Sequence, residues 1–133
     1  MPQQLSLAVV GADHPNRDKS NRRFEILLSA PGEPVDLKLE PKNPADPNAV
    51  AVFSSRGIQI GYLTAERAPW IGGMIRTGRE ISAVFQQGAV TGAVIRVAFD
   101  GVSPTLPAPP AKTSAAQKWV DEFDGVDPVY PDD

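Results

Sequence analysis

The feature that most constrains the fold of this chain is a proline-rich loop between two strand-forming segments. Three prolines lie within residues 41–47. Apolar and charged residues alternate over 35–40, the period-two pattern of a half-buried strand, and a second apolar run follows at 49–53. Proline fixes its own φ and biases the preceding residue toward extended backbone. Residues 41–48, the proline loop, are therefore predicted to be rigid and structured.

Further short strands are predicted on both sides of the proline loop. They cover residues 5–10, 35–39, 49–53, 58–60, 81–85 and 93–99. Gly57 is predicted to take a positive φ in the hairpin between the runs at 49–53 and 58–60. Residues 23–28 fit either a strand or one helical turn, and a strand is favoured because Pro31-Gly32 ends the segment so soon. The apolar alternation also predicts four core phenylalanines, Phe24, Phe53, Phe85 and Phe99.

One amphipathic helix is predicted late in this region. Thr64 is a good N-cap, and apolar residues recur at spacings of three and four up to about Arg76. Pro69 and the Gly72-Gly73 pair are expected to weaken this helix by on the order of 1 kcal/mol or more each. Six or seven short strands with one or two short helices predict an all-β to α+β fold, a small OB-like or SH3-like β-barrel.

The chain changes character after residue 103. Residues 1–103 carry eleven Lys or Arg and ten Asp or Glu, whereas 104–133 carry two and six, so the acidity lies in the C-terminal part. Four prolines within 104–110 predict an extended linker. We therefore predict a barrel domain over 1–103 and a flexible, acidic tail over 104–133.

The tail contains one segment with helical propensity, at 114–124. It has a serine at its start, Gly125 after it, and Trp119, Val120 and Phe123 on one face. Two interpretations are open. The segment either folds back to cover an apolar patch of the barrel or docks into a groove of a partner protein.

Several classes of protein are disfavoured by composition. The chain has no cysteine and one histidine, so a disulfide framework, a thiolate metal site and Cys-His or Ser-His-acid arrangements lack their parts or positional support. We expect no catalytic residues, no metal and no cofactor. No apolar run approaches the roughly 18 residues of a membrane span, and the N-terminus lacks the features of a secretory signal. A soluble cytoplasmic protein without membrane partners is expected.

A basic run lies between the first strand and the segment at 23–28. Four of its seven residues are cationic: Arg17, Lys19, Arg22 and Arg23. These side chains either contact phosphates, each of which adds salt-dependent affinity, or form a solvated loop face balanced by nearby acids. His14, just before the run, is either a stacking ring or an ordinary surface histidine.

One stretch resembles the HIRAN domain family. It runs Leu39-Glu-Pro-Lys-Asn-Pro-Ala-Asp-Pro-Asn-Ala-Val-Ala-Val52 and continues as Gly57-Ile-Gln-Ile-Gly-Tyr-Leu63. The family signature is a loop of the form [RK]-E-P-x-N-P-[YH]-D-x-N-A-[IV] before a strand, then a G-x-x-[IV]-G-[YH]-[LI] hairpin and a helix. The opening strand ending in Val-Val-Gly is similar as well, so the resemblance covers roughly residues 5–100.

The resemblance implies binding of single-stranded DNA at its 3′ end. An acidic residue of the family loop meets the terminal hydroxyl, a neighbouring Asn assists it, and aromatic rings sandwich the last bases. Carried over by motif, Asp46 would accept the hydroxyl hydrogen bond and Asn43 would support it. Where the family loop has its aromatic residue this chain has Ala45, so His14 or Tyr62 would have to supply the stacking.

The leading hypothesis is a non-catalytic nucleic-acid-binding module for single-stranded DNA or DNA 3′ ends in repair or DNA processing. Its predicted DNA-binding residues are Asp46, Asn43, His14, Tyr62, Arg17, Arg22, Arg23 and Lys42. The alternative is a protein-interaction adaptor with little DNA binding of its own. Its acidic tail would dock through Trp119 and Phe123 to a DNA-processing partner such as a helicase or nuclease.

Overall fold

The computed structural model describes residues 3–107, which form a closed antiparallel barrel of six strands with two short helices. The elements in chain order are β1 (Gln4–Val10), α1 (Arg22–Leu28), β2 (Pro34–Leu39), β3 (Val50–Phe53), β4 (Gln59–Leu63), α2 (Ala68–Arg76), β5 (Ile81–Ala89) and β6 (Gly92–Phe99). The predicted small β-barrel is confirmed.

The strands close in the order β1-β4-β3-β2-β5-β6. The hairpins β3–β4 and β5–β6 join strands that are neighbours in the chain, and β1 pairs with β6 from Gln4 to Val9. Strand pairing between β1 and β4 is limited to Val9 and Val10 on the β1 side. The proline loop joins the end of β2 to the start of β3 and lies at the rim of the barrel.

Alternating aliphatic residues of all six strands fill the interior. Side chains with no exposed surface include Val9, Val50, Val52, Ile60, Ile95 and Val97. On β2, Val35 is buried and Leu37 and Leu39 are half-buried, whereas Asp36 and Lys38 are exposed, so the alternation that predicted this strand is confirmed. Gly57 has a φ of +79°, as its hairpin position requires.

The prediction of a strand at 23–28 is wrong, because these residues form α1. Asn21 has extended backbone, and its side chain accepts a hydrogen bond from the Phe24 amide at 2.8 Å, which satisfies one of the free donors of the first turn. Ile26 points into the core. The buried residues of α1 also include Arg22 and Glu25, so its inward face is partly charged. Apolar periodicity alone could not identify such a helix.

The second helix begins later than predicted. Thr64 accepts a hydrogen bond from the Arg67 amide, but residues 65–67 form a turn and α2 starts at Ala68. Pro69 therefore lies in the first turn, where its missing amide hydrogen costs little, and it does not weaken the helix as expected. A Cβ on Gly72 would lie 3.3 Å from a Leu39 methyl carbon, so this glycine lets α2 pack closely against the barrel.

The four phenylalanines take three different environments. Phe85 and Phe99 are buried in the core, as predicted. Phe53 is half-buried at the end of β3. Phe24 is 60% exposed, so its assignment to the core is wrong. The cause is that this segment forms a helix and not the predicted strand, which turns position 24 away from the interior.

The C-terminal predictions are not addressed by the described part of the chain. After β6, residues 102–107 carry no helix or strand, and the Thr105 amide donates to the Gln4 side chain at 2.8 Å. The predicted helix at 114–124, with Trp119 and Phe123, lies outside the described residues. No helix within residues 3–107 is both long and apolar enough to span a bilayer.

Candidate nucleic-acid interface

A cleft of about 630 Å³ opens at the barrel rim between two loops. One wall is formed by residues 15–18 of the β1–α1 connection, and the other by residues 40–44, where β2 passes into the proline loop. Between the walls lie Arg22 and four residues of the β3–β4 hairpin region: Phe53, Gly57, Gln59 and Tyr62. We call this site the rim cleft. Its volume lies within the range of about 300–1,000 Å³ of ligand sites.

Arg22, the first residue of α1, is the central cation of the rim cleft. Its residue surface is only 7% exposed. The Nε group donates to Asn16 Oδ1 at 2.7 Å, one terminal nitrogen donates to the Gly11 carbonyl at 2.8 Å, and the guanidinium lies 5.5 Å from the centre of the Tyr62 ring. None of the ion pairs within residues 3–107 includes Arg22. A guanidinium has five N–H donors, and the hydrogen bonds within the described residues use two of them.

Asn16 holds the first wall in place. Its side-chain amide donates to the Ser20 hydroxyl at 3.0 Å and to the Gln59 carbonyl at 2.9 Å, and its oxygen accepts from Arg22. Asn16 therefore ties the β1–α1 connection to β4 and orients the guanidinium at the same time. No role for Asn16 was predicted from the sequence.

The second wall is organised by side chains of the proline loop. Asn43 Oδ1 accepts from the backbone amides of Ala45 and Asp46, at 2.9 and 3.1 Å. Asp46 Oδ1 accepts from the Asn48 amide at 2.8 Å. Such local side-chain to backbone bonds are what Asn and Asp contribute to rigid turns.

Glu40 links the proline loop to β4. Its Oε1 atom accepts from the Tyr62 hydroxyl at 2.8 Å and from the Asn43 side-chain amide at 2.9 Å. The Tyr62 ring is thus fixed at its hydroxyl by a carboxylate and on one face by the Arg22 guanidinium. These contacts make the floor of the rim cleft rigid before any ligand arrives.

The rim cleft carries a small positive excess. Arg17, Arg22 and Lys42 line it together with Asp18 and Glu40. Both acids already have donors. Glu40 accepts from Tyr62 and Asn43, and Asp18 accepts from the amide and hydroxyl of Ser20. These two bonds hold the pKa of the Asp18 carboxyl below its usual value. Arg17 and Lys42 are exposed and take part in none of the ion pairs within the described residues.

Five of the predicted DNA-binding residues meet at the rim cleft: Arg17, Arg22, Lys42, Asn43 and Tyr62. Asp46 is partly buried in the same proline loop but does not line the cleft. His14 is exposed and, with Arg23, lines a smaller adjoining pocket of about 230 Å³. Arg22 lines both pockets and joins them.

Arg23 is engaged in holding the fold. Its Nε group lies 2.8 Å from Asp13 Oδ1, and its terminal nitrogens donate to the carbonyls of Ala89 and Val90 at the tip of the β5–β6 hairpin. The hydrogen bond and the charge of Arg23 lower the pKa of the Asp13 carboxyl. Of the four cations in the basic run, Arg23 braces the hairpin, Arg17 and Arg22 line the rim cleft, and Lys19 lines the smaller pocket.

The cleft residues that were missed by reasoning from the sequence include Asn16, Glu40 and Phe53. Glu40 stands inside the quoted signature stretch, so its position in the motif was an available signal. Phe53 was assigned to the core because it ends an apolar run, yet it lines the cleft with Lys38 Nζ 4.6 Å from its ring centre. Nothing in the sequence marks Asn16, because its partners lie on β4 and α1.

The residues of the cleft do not form a metal site. Within the part of the chain that the structure describes, no three His, Cys, Asp or Glu side chains are grouped so that they could hold an ion. The arrangement offers cationic donors, hydroxyl and amide groups and two aromatic rings around an open cleft. Those are groups that bind an anionic, base-bearing polymer.

Comparisons with known proteins agree with the fold and the motif. The sequence model of the HIRAN domain matches residues 19–93, more than half of the chain, which confirms the resemblance seen in the proline loop and hairpin. The crystal structure of the HIRAN domain of human HLTF is similar, with 24% identity and a TM-score of 0.56, over 72% of this chain and 74% of that one. A Lactobacillus plantarum protein solved by structural genomics matches at 16% identity and a TM-score of 0.55, over 70% and 91%. No curated protein matches the sequence.

Proposed function

The chain belongs to the HIRAN domain family, and from that membership we propose that its barrel is a non-catalytic module that binds single-stranded DNA with a preference for 3′ ends. The rim cleft is the proposed binding site, and repair or another DNA-processing event is the proposed setting. The observation that carries the proposal is Arg22, a buried arginine that lines the cleft and has no carboxylate paired to it within residues 3–107.

A buried charge is costly unless it is paired, and the partners of Arg22 are neutral. Asn16 and Gly11 use two of its donors, and Tyr62 covers one face of the guanidinium. The planar fork of arginine matches the geometry of a phosphate, which can accept two parallel hydrogen bonds from it. A DNA phosphate seated at Arg22 would supply the missing counter-charge.

Exposed cations and aromatic rings extend this contact along a strand. Arg17 and Lys42 stand on opposite walls, so a backbone lying in the cleft would pass between them. Tyr62 and Phe53 each have a cation over the ring, from Arg22 and Lys38 respectively. A base stacked on a free ring face is worth about 1–3 kcal/mol, and the contact does not depend on the identity of the base. Ala45, at the position of the family aromatic, is exposed and adds no ring.

Preference for a 3′ end would come from Asp46, on the strength of the family motif. One of its carboxylate oxygens accepts from the Asn48 amide, and the described structure gives the other no donor. A terminal hydroxyl is a donor that suits a free carboxylate oxygen, whereas a terminal phosphate would be repelled. Asn43 would act indirectly by holding the backbone on both sides of Ala45.

Fluorescence anisotropy with two otherwise identical oligonucleotides tests the 3′-end preference. One ends in a 3′-hydroxyl and the other in a 3′-phosphate. We expect tighter binding of the hydroxyl form, although the phosphate adds a charge that basic residues favour. Asp46→Asn should remove the difference, because it keeps an oxygen for the Asn48 amide and loses the charge. Asp36→Asn on the exposed face of β2 is the matched control and should preserve it. Equal binding of the two oligonucleotides by the unaltered protein would contradict the 3′-end assignment.

The dependence of affinity on salt tests the rim cleft itself. Arg17→Gln should weaken binding and lower the slope of log K against log salt by about 1, as expected for one lost phosphate contact. Arg76→Gln, an exposed change at the end of α2, is the control that alters charge equally away from the cleft. Identical slopes for both variants would show that the cleft makes no phosphate contact, and no binding to any single strand at low salt would overturn the function.

A further inference from the structure

The outer side of α1 is an apolar surface with no partner in the described structure. Phe24, Leu27 and Leu28 are 60%, 81% and 51% exposed, and their i, i+3, i+4 spacing places them in one stripe. Single exposed leucines are common, but three large apolar side chains grouped on a seven-residue helix are not. We call these three residues the α1 apolar face.

The α1 apolar face belongs to a firmly held element. On the other side of the helix Ile26 enters the core, and the buried Glu25 carboxylate lies 2.6 Å from Arg56 Nε in the β3–β4 turn. Arg23 bonds the tip of the β5–β6 hairpin, where Val90 is 90% exposed. The exposure of Phe24, Leu27 and Leu28 is therefore set by the orientation of a braced helix, and the exposed Val90 lies on the loop that this helix holds.

We propose that residues 114–125 of the chain's own tail dock on the α1 apolar face through Trp119, Val120 and Phe123. These three residues lie at i, i+1 and i+4, so in a helix they would form one apolar stripe of a size that matches the three side chains of α1. A helix that packs such a stripe against α1 would cover apolar surface on both elements. The proposal is independent of DNA binding by the rim cleft.

The tether is long enough for this contact. The Thr105 amide donates a hydrogen bond to the Gln4 side chain, so the start of the tail lies near the start of β1. Arg22 of α1 donates to the Gly11 carbonyl, so α1 lies near the end of β1. The tail therefore has to travel about the length of seven-residue β1, roughly 24 Å at about 3.4 Å per residue. Seven extended steps from Pro107 to Ser114 reach about 22 Å at about 3.1 Å per residue in a proline-rich chain. Five helical steps from Ser114 to Trp119 add about 7 Å at about 1.5 Å per residue, so the reach of about 29 Å is sufficient.

Tethering favours this occupant over a separate molecule. A segment joined by a short linker has an effective concentration in the millimolar range, so even weak apolar contact is populated. The segment carries Asp121, Glu122 and Asp124, and the partly exposed Arg23 and Arg56 side chains lie at the two ends of α1. Both cations are already paired, Arg23 with Asp13 and Arg56 with Glu25 and Glu33, so the proposed contact rests on tethering and apolar burial and not on charge.

A spin label on the tail of the full chain tests the proposal, because the protein has no cysteine of its own. Val126→Cys carries the nitroxide, and amide signals of the ¹⁵N-labelled protein report on nearby residues. We expect strong broadening of the Phe24, Leu27 and Leu28 signals. Leu27→Glu should abolish it without unfolding the protein, because Leu27 makes little packing contact at 81% exposure. Ala65→Glu, an exposed change before α2, should leave it intact.

A tail-side variant and a mixing experiment complete the design. Trp119→Ala with Phe123→Ala should also remove the broadening. The proposal is overturned if the label broadens Lys42 and Asn43 instead, which would place the acidic tail in the rim cleft. It is equally overturned if broadening survives Leu27→Glu, or if no described residue is broadened. A mixture of spin-labelled chains and separate ¹⁵N-labelled chains without the nitroxide tests for contact between molecules. Full broadening in that mixture would assign the α1 apolar face to a second copy of the chain.

Discussion

At the residue scale, two glycines let β1 lie between its neighbours. A Cβ on Gly61 of β4 would collide with the carbonyl oxygen of Val10, and one on Gly92 of β6 with that of Val9. Their φ angles of +154° and +155° are also ones that L side chains rarely adopt. Since the clash is with backbone, it cannot be relieved by a change of rotamer, and the barrel closes here only with glycine.

Gly61→Ala is therefore expected to lower the free energy of unfolding by roughly 3 kcal/mol or more. Gly73→Ala on α2 is the matched control, because a Cβ there meets no atom within 4 Å. That control should be neutral or stabilising by up to about 1 kcal/mol, since alanine favours helix. Urea denaturation measures both, and equal effects of the two substitutions would refute the close approach of β1 and β4.

The same scale gives a prediction about pH. The Arg23 guanidinium, hydrogen-bonded to Asp13 at 2.8 Å, holds the pKa of that carboxyl below its ordinary value. A carboxyl whose pKa is depressed in the folded state contributes stability at pH values above its unfolded pKa of about 3.9. That stability is lost as the pH falls through the folded-state pKa. Carbonyl NMR titration should show that Arg23→Gln raises the pKa of Asp13 and leaves that of Asp18 low. If the pKa of Asp13 is unchanged in the Arg23→Gln variant, the Arg23–Asp13 ion pair is not formed.

At the element scale, α1 depends on contacts distant in sequence. Its two buried ionisable residues are Arg22, held by Asn16 and Gly11, and Glu25, held by Arg56 from the β3–β4 turn. Short-range patterns do not predict such pairings, which is why this segment was assigned as a strand. By contrast β2, whose alternation between Val35 and Leu39 reflects only its own two faces, was predicted correctly.

Removal of Arg56 tests how far α1 relies on its ion pair. Arg56→Met leaves the buried Glu25 carboxylate without its partner at 2.6 Å and should destabilise the protein by roughly 2–3 kcal/mol. Adding Glu25→Gln to Arg56→Met should recover part of that loss, because position 25 then carries no buried charge without a partner. Thermal and urea unfolding of the single and double variants measure this. A loss below about 0.5 kcal/mol for Arg56→Met would class the pair with ordinary surface salt bridges.

At the scale of the whole molecule, the barrel brings together two loops that are far apart in the chain. The resemblance of residues 39–63 predicted the proline loop wall, including Asn43, and placed Tyr62 in the hairpin that follows. The opposite wall, with Asn16 anchored to Gln59, follows only from closure of the sheet. Sequence therefore predicted one side of the rim cleft and the cationic character of the other, but not that Arg22 would be buried between them.

The most direct test of the proposed function is an NMR titration of the full ¹⁵N-labelled chain with a single-stranded oligonucleotide that has a free 3′-hydroxyl, at low salt. The rim cleft predicts the largest shift changes at Asn16, Arg17, Lys42, Asn43 and Tyr62, with smaller changes on α2 and β5. Absence of any change at about 100 µM protein and excess oligonucleotide, a concentration that reveals even non-specific binding, would contradict a DNA-binding cleft. So would shifts confined to surfaces away from these five residues.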